Sequence, residues 1–226
     1  MSRSVGPSGP VVKICCIADL AEARVARDLG AQVLGLVSAM PSGPGVIDDA
    51  TIAAIAAAVP PPTETFLLTA RVQADAIAAQ HRTAGTTALQ LVDHVPHDEL
   101  RRLRDLCPGV KLVQVIHVQD ASSLDEACAA SPLVDALLLD SGRPGAAVKE
   151  LGGTGRVHDW ATSRRIRDAV WPQPVFLAGG LRPENVAEAI ATVQPHGLDL
   201  CTGVRRDRRL HGPTLAAFMA AVRAAG

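Results

Sequence analysis

A closed (β/α)8 barrel in a single domain is the fold this sequence predicts, and three observations carry it. Short apolar runs alternate with amphipathic stretches from Val11 to the C-terminus, without a break in rhythm. Eight such runs can be placed, their starts 22 to 39 residues apart, which leaves room for one strand, one helix and two loops in each unit. Runs such as Val33–Val37 and Ala136–Leu139 are continuously apolar rather than alternating, as strands covered on both faces are. A doubly wound open sheet is the topology that competes for this pattern, and the eight repeated units in 226 residues favour closure. Residues 1–10, rich in Gly, Pro and Ser, read as a flexible tail, and 11–226 as the barrel.

Taken in order, the strands begin near Val11, Val33, Glu64, Ala88, Lys111, Asp135, Pro174 and Leu198. The helical period fills the intervals. Ile52, Ile55, Ala56 and Val59 recur at i, i+3, i+4 and i+7, as do Val186, Ala189, Ile190 and Val193, and then Leu215, Phe218, Met219 and Val222. Asp19 with Glu22, and Ser123 with Glu126, have the spacing of capping boxes. Pro183 suits the first turn of the helix after Leu181. The longest interval follows the sixth strand, where Ser141–Val157 holds five glycines, and an enlarged loop there lies on the catalytic face of a barrel.

Composition excludes several classes of function. The chain has 22 basic and 23 acidic side chains, so it lacks the basic footprint that drives nucleic-acid binding. Aromatics are 2% with no Tyr, too few for a base-stacking surface. The apolar stretch at Ala50–Val59 stops at Pro60-Pro61-Pro62, short of a membrane span, and Met1–Pro10 lacks the apolar core of a secretory signal. Five Cys at irregular positions argue against a disulfide framework. A cytoplasmic enzyme acting on a small molecule is the expectation, as a monomer or a homodimer.

In such a barrel the residues just after each strand form the active-site rim. Here these are Cys15 and Cys16, Ser38, Thr69 to Arg71, Gln90, His117, Asp140, Gly179-Gly180 and Cys201-Thr202-Gly203. A lone cysteine in apolar sequence is ordinarily an inert small hydrophobe; its place at the rim makes Cys15 a candidate. Asp140 ends a run of three leucines, where an unpaired carboxylate is costly as core filler, although capping the next loop is an alternative use. Gly179, Gly180, Thr202 and Gly203 make small-residue turns after strands seven and eight, the places where barrel enzymes bind phosphate through backbone N–H groups. Arg205-Arg206-Asp207-Arg208-Arg209 reads first as a solvated loop, with Arg205 placed to assist an anion. The histidines show no metal-ligand spacing, and neither a G-x-S-x-G elbow nor a P-loop appears.

Four pieces in matching order resemble phosphoribosylanthranilate isomerase, a family of tryptophan biosynthesis. They are Val12-Lys13-Ile14-Cys15, Leu138-Leu139-Asp140-Ser141, Gly152-Gly153-Thr154-Gly155 with Asp159-Trp160, and Leu177-Ala178-Gly179-Gly180-Leu181 with Pro183 and Asn185-Val186. The resemblance spans almost everything after Pro10 and implies a (β/α)8 barrel. It implies an Amadori rearrangement, aminoaldose to aminoketose, on a phosphorylated ribose carrying an aryl amine. Cys15 is then the base and Asp140 the acid, with Gly153, Gly179, Gly180, Thr202 and Gly203 on the phosphate. Only protons move, so the resemblance implies no metal and no redox cofactor.

Other pieces depart from the family pattern. Cys16 stands where the family has Gly. The second-strand S-P-R, whose arginine holds the anthranilate side, becomes Met40-Pro41-Ser42-Gly43-Pro44-Gly45. Q-L-H-G at the fourth strand becomes Gln90-Leu91-Val92-Asp93, and S-S-G-V-E at the eighth becomes Cys201-Thr202-Gly203-Val204-Arg205. The residues flanking the aryl group therefore differ, and Cys16, Gln90, Arg71 and Arg205 are the candidates for contacting substrate there. Either Arg71 takes the carboxylate in place of the missing arginine, or the amine is a different one. Two other readings keep the fold: a specialised-metabolism relative acting on another sugar-phosphate amine, and a non-catalytic phosphate-ligand binder. Retention of both Cys15 and Asp140 argues against the binder.

Overall fold

The computed structural model describes residues 9–143, 145–151, 155 and 157–226. Eight parallel strands close into a barrel in sequence order, the eighth pairing with the first. They are β1 (Val11–Ile14), β2 (Val33–Val37), β3 (Glu64–Thr69), β4 (Ala88–Leu91), β5 (Lys111–His117), β6 (Ala136–Asp140), β7 (Val175–Leu177) and β8 (Gly197–Leu200). Each start lies within a residue of its expected place. The helices are α1 (Leu20–Asp28), α2 (Asp49–Ala58), α3 (Ala74–Ala84), α4 (His97–Leu106), α5 (Ser122–Ala130), α6 (Trp160–Ala169), α7 (Val186–Val193) and α8 (Gly212–Ala225). Among the described residues no helix is long and apolar enough to cross a membrane.

The two-residue period of a strand divides the core into two layers. One set of strand residues, including Ile14, Leu34, Leu67, Leu89, Ile116, Leu137, Leu139 and Leu177, points outward and packs under the helices. The alternate set fills the barrel: Val33, Phe66, Leu68, Ala88, Val113, Val115, Leu138 and Phe176. Burial of large apolar side chains drives this arrangement, each worth about 1.5–3 kcal/mol. Leu215, Phe218, Met219 and Val222 of α8 are all buried, as their spacing requires.

One local expectation is met and two are corrected. Asp19 caps α1 by accepting from the Glu22 N–H at 2.9 Å, and the Glu22 carboxylate reaches back to the Ala18 N–H. Asp48 and Asp159 cap α2 and α6 in the same way. Ser123 and Glu126 form no capping box. The Ser123 hydroxyl instead accepts from the Gln119 N–H and donates to the His117 carbonyl, and α5 starts without a side-chain cap. Pro183 lies before α7 rather than in its first turn. Asn185 closes the preceding turn, accepting from the Arg182 N–H and donating to the Gly180 carbonyl, so the helix begins at Val186.

Candidate active site

Inward parity places a cation and an anion inside the barrel on neighbouring strands. Lys13 pairs in register with Asp199, and its ammonium lies 2.8 Å from the Asp199 carboxylate, with both residues buried. Burial alone would lower the lysine pKa. Asp199, with smaller contributions from Cys15 and Cys16, outweighs it and holds the ammonium above its ordinary range. The Phe66 ring adds a cation–π contact at 6.0 Å. Gly35 makes the room: a Cβ there would lie 2.9 Å from the Lys13 nitrogen and 3.1 Å from Cys15 Cα.

Above this pair a cavity opens at the C-terminal ends of the strands, where a barrel presents its loops. Cys15, Cys16, Gln90, Asp140 and Asp199 line its floor, and Met40, Ser42, Gly43 and Pro44 form one wall. Gly179, Gly180, Thr202 and Gly203 form another. Asp140 is buried, and burial pushes its carboxyl pKa upward; the Ser141 N–H donating to it at 2.7 Å, with His117 and Lys13, only partly opposes this. A carboxyl so placed tends to keep a proton, the state a general acid needs.

The turns after β7 and β8 are in direct contact. Gly179 and Gly180 have φ of 83° and 65°, which glycine adopts freely, so the backbone of this turn is exposed toward the cavity without side-chain cover. A Cβ on Gly203 would lie 2.0 Å from the Leu181 carbonyl oxygen. Gly203→Ala is therefore expected to force the two turns apart and to weaken binding of inorganic phosphate at least about tenfold, the scale of one lost charge-assisted hydrogen bond. Isothermal titration with phosphate measures it, and unchanged affinity would remove these turns from the anion site.

Of the candidates read from the sequence, Cys15, Cys16, Gln90, Asp140, Gly179, Gly180, Thr202 and Gly203 share this one cavity. Gly153 lies outside the described residues. Arg71 is exposed and is not among the residues lining the cavity; its backbone N–H is held by the Thr69 hydroxyl. Arg205 also stays off the lining. Its guanidinium supports the wall from behind, donating to the carbonyls of Cys15 and Cys16 and pairing with Glu22 at 3.2 Å. His117 and Ser38 turn to backbone carbonyls, of Val92 and Leu68 respectively. Sequence reasoning passed over the Lys13–Asp199 pair. Its signal was available: one charge in each of two otherwise apolar strands, both of inward parity.

The sequence model of N-(5'-phosphoribosyl)anthranilate isomerase matches residues 12–208. The chain belongs to the phosphoribosylanthranilate isomerase family. Within it, the Haloferax volcanii protein named N-(5'-phosphoribosyl)anthranilate isomerase is 36% identical over 216 residues, covering 95% of this chain and 93% of its own. The phosphoribosyl anthranilate isomerase structure from Thermococcus kodakaraensis superposes with a TM-score of 0.78 at 28% identity, covering 95% of this chain and 99% of that one. A phosphoribosyl anthranilate isomerase solved in complex with reduced 1-(o-carboxyphenylamino)-1-deoxyribulose 5-phosphate has the same fold, with a TM-score of 0.79 at 22% identity, covering 95% and 99%.

Proposed function

We propose that this phosphoribosylanthranilate isomerase family member converts N-(5'-phosphoribosyl)anthranilate to 1-(o-carboxyphenylamino)-1-deoxyribulose 5-phosphate, with Asp140 as general acid and Cys15 as general base. The observation that carries the assignment of roles is that a buried carboxyl at the end of β6, its pKa raised by burial, and a thiol at the end of β1 face one cavity. The Asp140 carboxyl donates its proton to the furanose ring oxygen. The C1′–O bond breaks and the aryl nitrogen's lone pair forms the iminium. The Cys15 thiolate then removes the C2′ proton, the electrons move to the iminium nitrogen, and the resulting enolamine tautomerises to the ketose. Each proton taken is returned, so the reaction is an isomerisation that needs only acid and base.

The other residues orient the substrate. Gly179, Gly180, Thr202 and Gly203 offer backbone N–H groups to the 5′-phosphate. The Lys13 ammonium, fixed by Asp199, interacts favourably with a Cys15 thiolate. Met40, Pro44 and Leu151 give the aryl ring an apolar surface. Turnover of the anthranilate adduct by the purified protein, and growth rescue of a tryptophan auxotroph lacking this step, test the proposal. Cys15→Ser keeps the volume but offers a poor base, so kcat falls by about 10²-fold or more with little change in KM. Absence of turnover in the unsubstituted protein, or near-normal turnover in Cys15→Ser, would overturn the proposal.

A further inference from the structure

Three of the five cysteines meet at the cavity floor: Cys16 Sγ lies 2.8 Å from Cys201 Sγ and 3.7 Å from Cys15 Sγ. The acid–base reaction uses one of them. We propose that Cys16 and Cys201 are a reversible redox modification site, in which a peroxide joins them in a disulfide between the ends of β1 and β8 and stops turnover. The effect on turnover rests on the isomerase reading above; the bridge itself does not.

The backbone sets the pair up. β1 and β8 are hydrogen-bonded neighbours in parallel register, with Ile14 opposite Leu200 and the Cys15 N–H donating to the Leu200 carbonyl at 2.9 Å. Continued by one residue past the strand ends, that register sets Cys201 opposite Cys15, so Cys16 meets Cys201 diagonally, from the next position along the chain. Cys16 holds φ of 63°, a left-handed conformation uncommon for a residue with a Cβ. The loop after β2 accommodates its side chain. Gly45 is the residue there whose own Cβ would come within 2.4 Å of Cys16 Cβ, and the Pro44 carbonyl accepts from the Cys16 thiol at 3.5 Å. The sulfurs of Cys16 and Cys201 are closer than unbonded sulfurs ordinarily come, and a small movement from the ~2.05 Å of a disulfide bond.

Chemistry assigns an order to the two thiols. Cys201 is the more exposed, and its pKa is lowered, first by its hydrogen bond with Cys16 and then by the Arg205 charge. Cys16 is buried and its pKa is raised, by hydrogen bonding with Cys15 and Cys201 and by burial. The Cys201 thiolate therefore attacks the peroxide oxygen, giving a sulfenic acid and, for hydrogen peroxide, water. The Cys16 sulfur then attacks the sulfenic sulfur and its proton leaves with the hydroxide as a second water. The sum is two thiols and one H2O2 to one disulfide and two H2O. A dithiol reductant reverses it by exchange. The bridge draws the Cys201-Thr202-Gly203 turn toward β1, while Arg205 holds the carbonyls of Cys15 and Cys16 in place, and Cys15 loses its hydrogen bond with the Cys16 thiol.

The test uses full-length protein carrying Cys128→Ser, which removes the exposed thiol. Hydrogen peroxide at one equivalent should eliminate two of the remaining thiols and lower the mass by two hydrogens. It should link the peptide containing Cys201 to the one containing Cys16, and reduce kcat/KM at least about tenfold, with recovery in dithiothreitol. Cys16→Gly, which suits the left-handed backbone, and Cys201→Ser should each form no such link and show no dithiothreitol-reversible loss relative to their own reduced forms. An unlinked Cys201 peptide, or a reversible loss persisting in both variants, would overturn the proposal. A protein without isomerase activity before oxidation would instead overturn the functional reading, since the link is measured by mass alone.

Discussion

Asp140→Asn is expected to reduce kcat by about 10²-fold or more while leaving the protein at least as stable as before at neutral pH. The two halves have one cause. Burial raises the Asp140 pKa in the folded state above its unfolded value, ahead of the opposing Ser141 N–H and the charges of His117 and Lys13. The folded state thus binds this proton more tightly than the unfolded one. The resulting stability is fully present below the unfolded pKa, about 3.9, and is lost as pH rises through the folded pKa. Asparagine keeps the shape and accepts from Ser141, but it neither ionises nor donates an acidic proton. Its stability relative to the unsubstituted protein should therefore rise with pH across that window and level off above it, with no ionisation difference below it. Activity should fall at every pH. Thermal melts from acid to neutral pH, with steady-state kinetics on the same samples, measure both. Turnover within tenfold of the unsubstituted protein would remove Asp140 from the acid role. A melting temperature that falls at neutral pH would show that Asp140 is held charged.

The fold was readable because a (β/α)8 barrel leaves its period in every segment. The outward leucines of β6 must meet helices while Leu138 and Asp140 face inward, so Leu137 to Asp140 read as one buried strand with a functional end. The meeting of Cys15 and Asp140 at one cavity was readable for the same reason: strand ends and cavity rim coincide in this architecture. What could not be read depends on the reach and direction of side chains. Arg71 follows β3 at the rim in sequence, yet it is exposed beside the cavity rather than in it. Arg205 sits next to the β8 turn, and its guanidinium turns back toward Glu22 and two carbonyls. The meeting of Cys16 with Cys201 needed the left-handed backbone at Cys16 and the register of β1 with β8, neither of which a period reports. Ser123 failed as a cap because a carbonyl at the end of β5 competes for its hydroxyl.

Lys13→Met is expected to destabilise the protein by about 3–5 kcal/mol, the usual result when one partner of a buried ion pair is removed and the other stays charged. In a domain of this size that is a fall in melting temperature on the order of 10 °C. Methionine fills most of the lysine volume beside Gly35 and Phe66, so the loss arises from electrostatics more than from a cavity. Asp199 is then left buried, with no cation at 2.8 Å. Removing the carboxylate as well, in Lys13→Met with Asp199→Leu, should return much of the stability, because an apolar pair of similar volume is often as stable as the ion pair it replaces. Activity should not return with it. Lys13 lowers the Asp140 pKa and Asp199 raises it, so losing both leaves a different field at the acid, and the favourable interaction between the ammonium and a Cys15 thiolate is gone. Chemical denaturation of the single and double variants, with kcat measured on each, separates the two roles. If the double variant regained both stability and turnover, the pair would be structural only. If Lys13→Met alone were as stable as the unsubstituted protein, the interior would be wetter than its burial indicates and Asp199 would be solvated from the cavity.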